Sequence, residues 1–167
     1  SMVAVRKEVE MLDAYMSLMC YRYSDIIYRS EIEPGALDIE IPNFILQPLL
    51  ENSLMHGLKD RRYQGTIILK IYRNEQDKNE LNIWLIDDGI GIPDDKMAEL
   101  NAYNAKDSEA LYRVQTRTEG DRTHLGVINV ISRLKLYYQE NAEVIYMRNE
   151  TGGTTVKIKI KTASEET

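Results

Sequence analysis

Three groups of residues in this sequence could do chemistry together. The first is Asp87-Asp88-Gly89-Ile90-Gly91-Ile92-Pro93, directly after the apolar run 81–86. That run reads as a buried strand, which sets a carboxylate at the mouth of a glycine-permitted loop. The glycines let a ligand approach the backbone closely. A carboxylate only accepts hydrogen bonds, so it suits an exocyclic amine such as that of adenine. The second group is Leu46-Gln47-Pro48-Leu49-Leu50-Glu51-Asn52-Ser53-Leu54-Met55-His56-Gly57. On a helix Asn52 and His56 share a polar face, away from Leu46, Leu49, Leu50 and Leu54, with Glu51 beside Asn52. An amide oxygen is a hard ligand suited to Mg²⁺, which keeps waters and substrate phosphates as its other ligands. Lys59, a little further on, has the reach for a phosphate. The third group is Leu125-Gly126-Val127-Ile128-Asn129, where a helix opens after a polar stretch. Free N–H groups and a positive dipole end at a helix start suit phosphates. Each group alone has a plain alternative: an ordinary Asp-Gly turn, an Asn serving nearby backbone, a structural histidine, a glycine hinge.

The elements that must position these residues can be read along the chain. Residues 3 to about 29 read as one helix, with Val9, Leu12, Met16, Met19, Tyr23 and Ile26 on one stripe. At 1.5 Å per residue it would be roughly 40 Å long, with its start projecting from the body. Pro34-Gly35 is a turn and 36–41 a weak strand. A second helix runs from Asn43, a plausible N-cap, to Gly57, a plausible stop, with a kink or restart at Pro48. Segments 65–73 and 81–87 alternate as a hairpin. A short helix follows at about 94–102, then the polar stretch 103–123, either a solvated linker or a mobile lid. A third helix covers 126–138, and 143–148 and 154–161 are strands. In the last, Lys157, Lys159 and Lys161 alternate against Val156, Ile158 and Ile160 and form a solvated face. The expected class is α+β, a two-layer sandwich of a mixed β-sheet covered on one face by helices.

Bulk properties narrow the function. At 167 residues the chain is one domain with room for a sizeable core. A net charge of −6 argues against a general nucleic-acid or anionic-membrane surface, though not against one phosphorylated ligand. The single Cys20 allows no internal disulfide and reads as a packed small hydrophobe in a reducing compartment. No apolar run approaches the ~18 residues of a membrane span. The opening Ser1-Met2 reads as an added remnant, so the chain is expected to be a piece of a longer protein.

Taken together, the motifs resemble the GHKL (Bergerat) ATP-binding fold and, more closely, the catalytic domain of LytS/YesM-type sensor histidine kinases. The string from Leu46 to Ser53 followed by His56-Gly57 is similar to that group's N-box, and Asp87-x-Gly89-x-Gly91 to its G1 box. The run from Gly126 to Leu134 is similar to its G2 region, and Gly153-Thr154-Thr155-Val156 to its terminal strand. The order and spacing match from about Glu8 to Lys161. The resemblance implies ATP and Mg²⁺ as cofactors, with Asn52 the metal ligand in a catalytic set with Glu51 and His56. It implies that Asp87 binds the adenine amine, that Gly89 and Gly91 shape the pocket, and that Thr154 or Thr155 supports its adenine end. Leu125, Gly126 and their neighbours would contact phosphates, and 94–123 would form an ATP lid. The chain departs from the pattern twice. His124 stands where the group has a second glycine, and its side chain would either stiffen the lid or touch a phosphate; Met55 stands where relatives are often basic, so either phosphate affinity is lower or Lys59 substitutes.

Related proteins that hydrolyse ATP carry a water-activating carboxylate one helical turn before the metal-binding Asn. Here that position is Pro48, so phosphoryl transfer to a protein is favoured over hydrolysis. The family's acceptor histidine lies upstream, in a Pro-His-Phe context on a dimerising helix. Both histidines of this chain fall inside nucleotide motifs, so it should bind ATP without phosphorylating itself. The implied organisation is a linker helix over 1–30, an ATP-binding domain over 31–162 and a tail over 163–167. The implied partners are the upstream dimerisation and phosphoacceptor helices and a response regulator. The intact protein would be a bacterial membrane-anchored homodimer with this domain in the cytoplasm. Two alternatives share the fold: a serine kinase of the anti-sigma-factor type, and a degenerate nucleotide-binding interaction module.

Overall fold

The computed structural model describes residues 1–117 and 125–162. Its centre is a five-stranded mixed sheet built by period-two sequences. In chain order, β1 is Met2–Ala4, α1 Val5–Arg22, β2 Ile26–Ile32, β3 Glu40–Pro42 and α2 Leu46–Ser53. Then come β4 Gly65–Arg73, β5 Glu80–Asp87, α3 Asp94–Ala102, α4 Ser108–Arg117, α5 Leu125–Tyr138, β6 Ala142–Arg148 and β7 Thr154–Lys161. The sheet order is β2-β4-β5-β7-β6, with β2 parallel to β4 and the other pairs antiparallel. β1 and β3 form a separate antiparallel pair.

Alternation decides which face is buried. Ile67, Leu69 and Ile71 on β4, Leu81, Ile83 and Leu85 on β5, and Val156, Ile158 and Ile160 on β7 point inward. They meet Val5, Val9, Leu12 and Met16 of α1, Leu46, Leu49 and Leu50 of α2, and Val127, Val130, Ile131 and Leu134 of α5 in one core. The opposite face carries the complementary set. Lys157, paired in register with Trp84, sets its ammonium 4.0 Å from the indole centroid, and Lys159 reaches Glu143 at 3.5 Å. The sandwich and its mixed sheet are those expected from the sequence.

Several boundaries differ from that expectation. The first helix stops at Arg22, and residues 26–32 form the edge strand β2 instead of its last turns. The helical stripe runs without a break into Ile26, but an Ile-Ile-Tyr run also suits a pleated strand. Pairing with distant β4 decides between the two. Nor does the start of α1 project, because Val5 is wholly buried. Asn43 does not cap α2; Ile45 precedes the helix, and the Asn43 side chain accepts from Arg133. Pro48 lies in the first turn, where its missing N–H has no intrahelical partner to lose, so the helix neither kinks nor restarts there. Gly57 does not stop the helix, which continues as a π-helical turn over Leu54–Leu58 and a 3₁₀ turn over Lys59–Arg61. Within the polar stretch, α4 is helical, and residues 118–124 lie outside the described part.

The two sheet edges are treated differently. β2 runs open along one side. At the other side, Asn101 of α3 and Asn104 of the 3₁₀ turn that follows it (Tyr103–Ala105) take the place of a further strand. Asn101 donates to the Tyr146 carbonyl at 2.9 Å and accepts its N–H at 2.7 Å. Asn104 does the same for Val144, at 2.6 and 2.9 Å. Covering an edge in this way removes a template for unwanted strand pairing.

Candidate nucleotide-binding site

Asp87 is the last residue of β5, and the inward alternation of that strand aims it at α2. It is buried, only 2% exposed. Its Oδ1 accepts the Gly89 N–H at 2.9 Å and the Thr154 N–H at 3.3 Å. Burial pushes its carboxyl above the usual aspartate range, and these two amides and the Ser53 side chain oppose that shift. The neighbouring Asp88 has a different task. It accepts the Thr66 N–H at 2.7 Å and so closes the end of the β4–β5 pair.

Glycines let three segments converge on Asp87. A Cβ on Gly89 would lie 2.3 Å from the Gly57 carbonyl oxygen, and one on Gly153 would lie 2.1 Å from that of Asp87. Gly91, at φ +81°, would meet the Gly152 carbonyl at 2.5 Å. A Cβ on Gly57 would stand 3.1 Å from Asp87 Oδ1, in the space before the carboxylate. The Asn149 side chain donates to the Asp87 carbonyl at 2.9 Å and locks the 149–153 turn onto the end of β5.

The cleft in front of Asp87 is lined by Asn52, Ser53, His56, Gly57, Asp87, Ile92, Tyr146 and Thr154. Four of the residues singled out from the sequence, Asn52, His56, Asp87 and Thr154, therefore meet in one place from three elements. The others stand outside that lining. Thr155 faces the opposite side of β7, where its hydroxyl pairs with Asn149 at 3.2 Å. Glu51 accepts from Gln47 at 3.1 Å, one position around the helix from Asn52. Lys59 is exposed on the 3₁₀ turn. Leu125 and Gly126 open α5 beside the first turn of α2, where a Gly126 Cβ would touch Pro48 at 3.7 Å. His124 lies outside the described residues. Larger grooves at the far end of the β4–β5 hairpin hold none of these residues, and their charges are met locally, as in the Glu33–Arg73 pair at 3.0 Å.

Three contributors carried no weight as site residues in the sequence. Ser53 bonds to Asp87; it was visible only as a member of the Asn52 motif. Asn149 looks like any turn residue until the fold brings it to Asp87. Tyr146 occupies an inward position of β6 where aliphatic residues would serve, and that single polar tip was the available signal. Its hydroxyl is buried, with the Asn52 amide as its polar neighbour in the cleft.

These features fit a purine nucleotide. A buried carboxylate with one oxygen held by amides suits an amine donor. A cradle that a Cβ on Gly57 would invade suits a flat ring. For the metal, no cluster of three or more His, Cys, Asp or Glu side chains capable of holding an ion occurs among the described residues. The protein's contribution would be the Asn52 amide oxygen, with phosphates and waters completing the shell, as Mg²⁺ tolerates.

Comparison with known proteins gives a consistent picture. Residues 38–164 match the family described as histidine kinase-, DNA gyrase B-, and HSP90-like ATPase. The chain is 34% identical over 158 residues to the sensor protein LytS of Oceanobacillus iheyensis, covering 94% of this chain and 25% of that protein. It is 30% identical to LytS of Staphylococcus epidermidis over 169 residues, covering 98% and 26%. The chain thus spans about a quarter of the length of these relatives. Among solved structures, the catalytic domain of histidine kinase ThkA superposes with a TM-score of 0.66 at 13% identity, covering 98% of each chain. The histidine kinase domain of the Erythrobacter litoralis blue-light activated kinase superposes with a TM-score of 0.60 at 18% identity, covering 95% of this chain and 61% of that one. At these identities the superpositions speak to the fold alone.

Proposed function

This chain belongs to the histidine kinase-, DNA gyrase B- and HSP90-like ATPase family as a LytS-type domain, and from that premise we propose that it is the ATP-binding catalytic domain of a sensor histidine kinase. It binds Mg-ATP and transfers the γ-phosphate to a histidine on an upstream module, for relay to a response regulator. The observation that carries this reading is the buried Asp87, held by two backbone amides and facing Asn52 across one cleft.

In this reading Asp87 accepts the adenine amine and Thr154 closes the same end of the cleft. Asn52 offers its amide oxygen to Mg²⁺, which when bound supplies positive charge to the phosphates. The start of α5 presents backbone N–H groups to the phosphates, with Leu125 and Gly126 at its first positions, and His56 and Lys59 add polar and basic groups nearby. No carboxylate of α2 is aimed to activate water. Pro48 holds the position one turn before Asn52, and Glu51 is engaged by Gln47. The chemistry left to the domain is positioning and charge stabilisation for transfer to a protein acceptor.

In the intact protein, the dimerisation and phosphoacceptor helices lie upstream of residues 1–30, whose α1 and β2 pack with 31–162 in the ATP-binding unit. That protein is a membrane-anchored homodimer with this domain on the cytoplasmic side. Among the described residues of this chain no helix is long and apolar enough to cross a membrane.

The test is phosphate transfer from labelled ATP, with and without the upstream phosphoacceptor module. The expected result is acid-labile phosphate on the module and none on this chain. Acid-labile phosphate on His56 or His124 would count against the reading. Acid-stable phosphate on a serine-bearing partner would point to the serine-kinase alternative.

A further inference from the structure

One buried carboxylate ties the cleft to the first helix. α2 begins with no side-chain cap of its own sequence neighbourhood. That role falls to Glu8 of α1, which is 2% exposed and whose Oε1 accepts the Ile45 N–H at 3.0 Å. Phe44 has a φ of +57° and Ile45 lies in the right-handed region. Such a succession turns consecutive amides toward a single anion. Burial pushes the Glu8 carboxyl above the usual range, and the amides of Ile45, Leu46 and Phe44 and the charge of Arg133 draw it back. α5 closes on the same turn. Arg133 donates to the Asn43 carbonyl at 2.5 Å and to Asn43 Oδ1 at 2.9 Å. The three helices of the site layer therefore meet at residues 43–46.

We infer that Glu8 is a positioning residue for the nucleotide site, fixing from α1 the start of α2 and hence the place of Asn52 opposite Asp87. The inference rests on the reading of Asn52 as the cation ligand. α2 is only 8 residues long. Asn52 lies less than two turns from its start, and a helix advances by 1.5 Å and turns by about 100° for each residue of slip. So short a helix has no length in which to absorb such a slip. At its other end α2 runs into the π-helical turn whose Gly57 abuts the Asp87 carboxylate. The helix is thus held between a carboxylate of α1 and the loop of Asp87. Glu8 lies outside the 38–164 segment that identifies the family, so family membership alone does not point to it. Any displacement of α1 moves the carboxylate that holds α2, which gives the first helix a direct mechanical hold on the site.

Glu8→Ala and Glu8→Gln test this, because Gln keeps an acceptor oxygen at the same reach. Affinities are read by calorimetry for adenosine and for a non-hydrolysable ATP analogue with and without Mg²⁺. In Glu8→Ala, adenosine binding should be unchanged while the Mg²⁺-dependent gain in analogue affinity falls about tenfold, the size of loss seen when a metal ligand loses its support. Glu8→Gln should restore most of that gain. Amide exchange over 46–53 should quicken in Glu8→Ala and stay unchanged in β4 and β5. An intact Mg²⁺-dependent gain, an equal loss for adenosine and analogue, or unchanged exchange over 46–53 would each overturn the inference. If Glu8→Ala does not fold, Glu8→Asp, one methylene short of Ile45, asks the same question. If the unsubstituted chain shows no Mg²⁺-dependent gain, the reading of Asn52 has failed, and exchange over 46–53 still decides the role of Glu8.

Discussion

Asp87, the proposed adenine-binding residue, is held in place at a cost to the nucleotide-free protein. Its folded pKa lies above its unfolded value because burial disfavours the charged form. The stabilisation from this group is fully present below the unfolded pKa, near 3.9 for an ordinary aspartate, and is lost as pH rises through the folded value. Without nucleotide the fold therefore disfavours the charged form of Asp87. Asp87→Asn keeps an acceptor for the Gly89 and Thr154 amides and removes the charge. It should raise the stability of the empty protein by about 1 kcal/mol at pH 7, with the gain shrinking toward pH 3.5, while abolishing nucleotide binding. Thermal melts across that range check the sign, and a stability loss at pH 7 would contradict it. Asp87 and Asn52 were legible in the sequence because a carboxylate at a strand end and an amide on a helix face are local patterns. Tyr146, Asn149 and Glu8 were not. Each acts across 37 or more positions of sequence, on α2, the residue that precedes it, or β5, and no local spacing encodes that.

At the scale of elements, the site depends on how closely the ends of β5 and β7 and the turn after α2 approach one another. Gly153 is the tightest point, since a Cβ there would stand 2.1 Å from the Asp87 carbonyl. Gly153→Ala must push the 149–153 turn away from β5 and break the Asn149 bond to that carbonyl. A loss of about 1–3 kcal/mol is expected, the usual cost of overpacking, together with weaker nucleotide binding. Chemical denaturation and binding of the same variant measure both, and an unaltered midpoint would contradict the account. The elements most legible in sequence were those with strict alternation. Lys157, Lys159 and Lys161 against Val156, Ile158 and Ile160 left little choice of state or face for β7. The strand at Ile26–Ile32 was hidden because Tyr23 and Ile26 extend the helical stripe. What makes it a strand is pairing with β4, a partner far along the chain.

On the scale of the whole molecule, the family's sequence signature and the folded unit do not coincide. The match begins at residue 38, yet α1 and β2 precede it and belong to the same layers. Val5, Val9, Leu12 and Met16 are each at most 9% exposed. Burying such side chains is worth about 1.5–3 kcal/mol each, so together they approach the stability of a whole domain. A chain beginning at residue 38 should therefore show no cooperative thermal transition. A cooperative melt within a few degrees of the full chain would contradict that. The same economy explains why the first helix can carry a residue of the site's support: it is part of the core that supports the cleft.

The central claim is that one cleft binds a magnesium nucleotide between Asp87 and Asn52. Its most direct test is calorimetric titration of the full chain with a non-hydrolysable ATP analogue, with and without Mg²⁺, alongside Asn52→Ala and Asp87→Asn. The expected result is saturable 1:1 binding that Mg²⁺ strengthens. Asn52→Ala should bind with its Mg²⁺ dependence gone, and Asp87→Asn should not bind. Absence of binding at millimolar analogue, or a Mg²⁺ dependence that survives Asn52→Ala, would contradict the account.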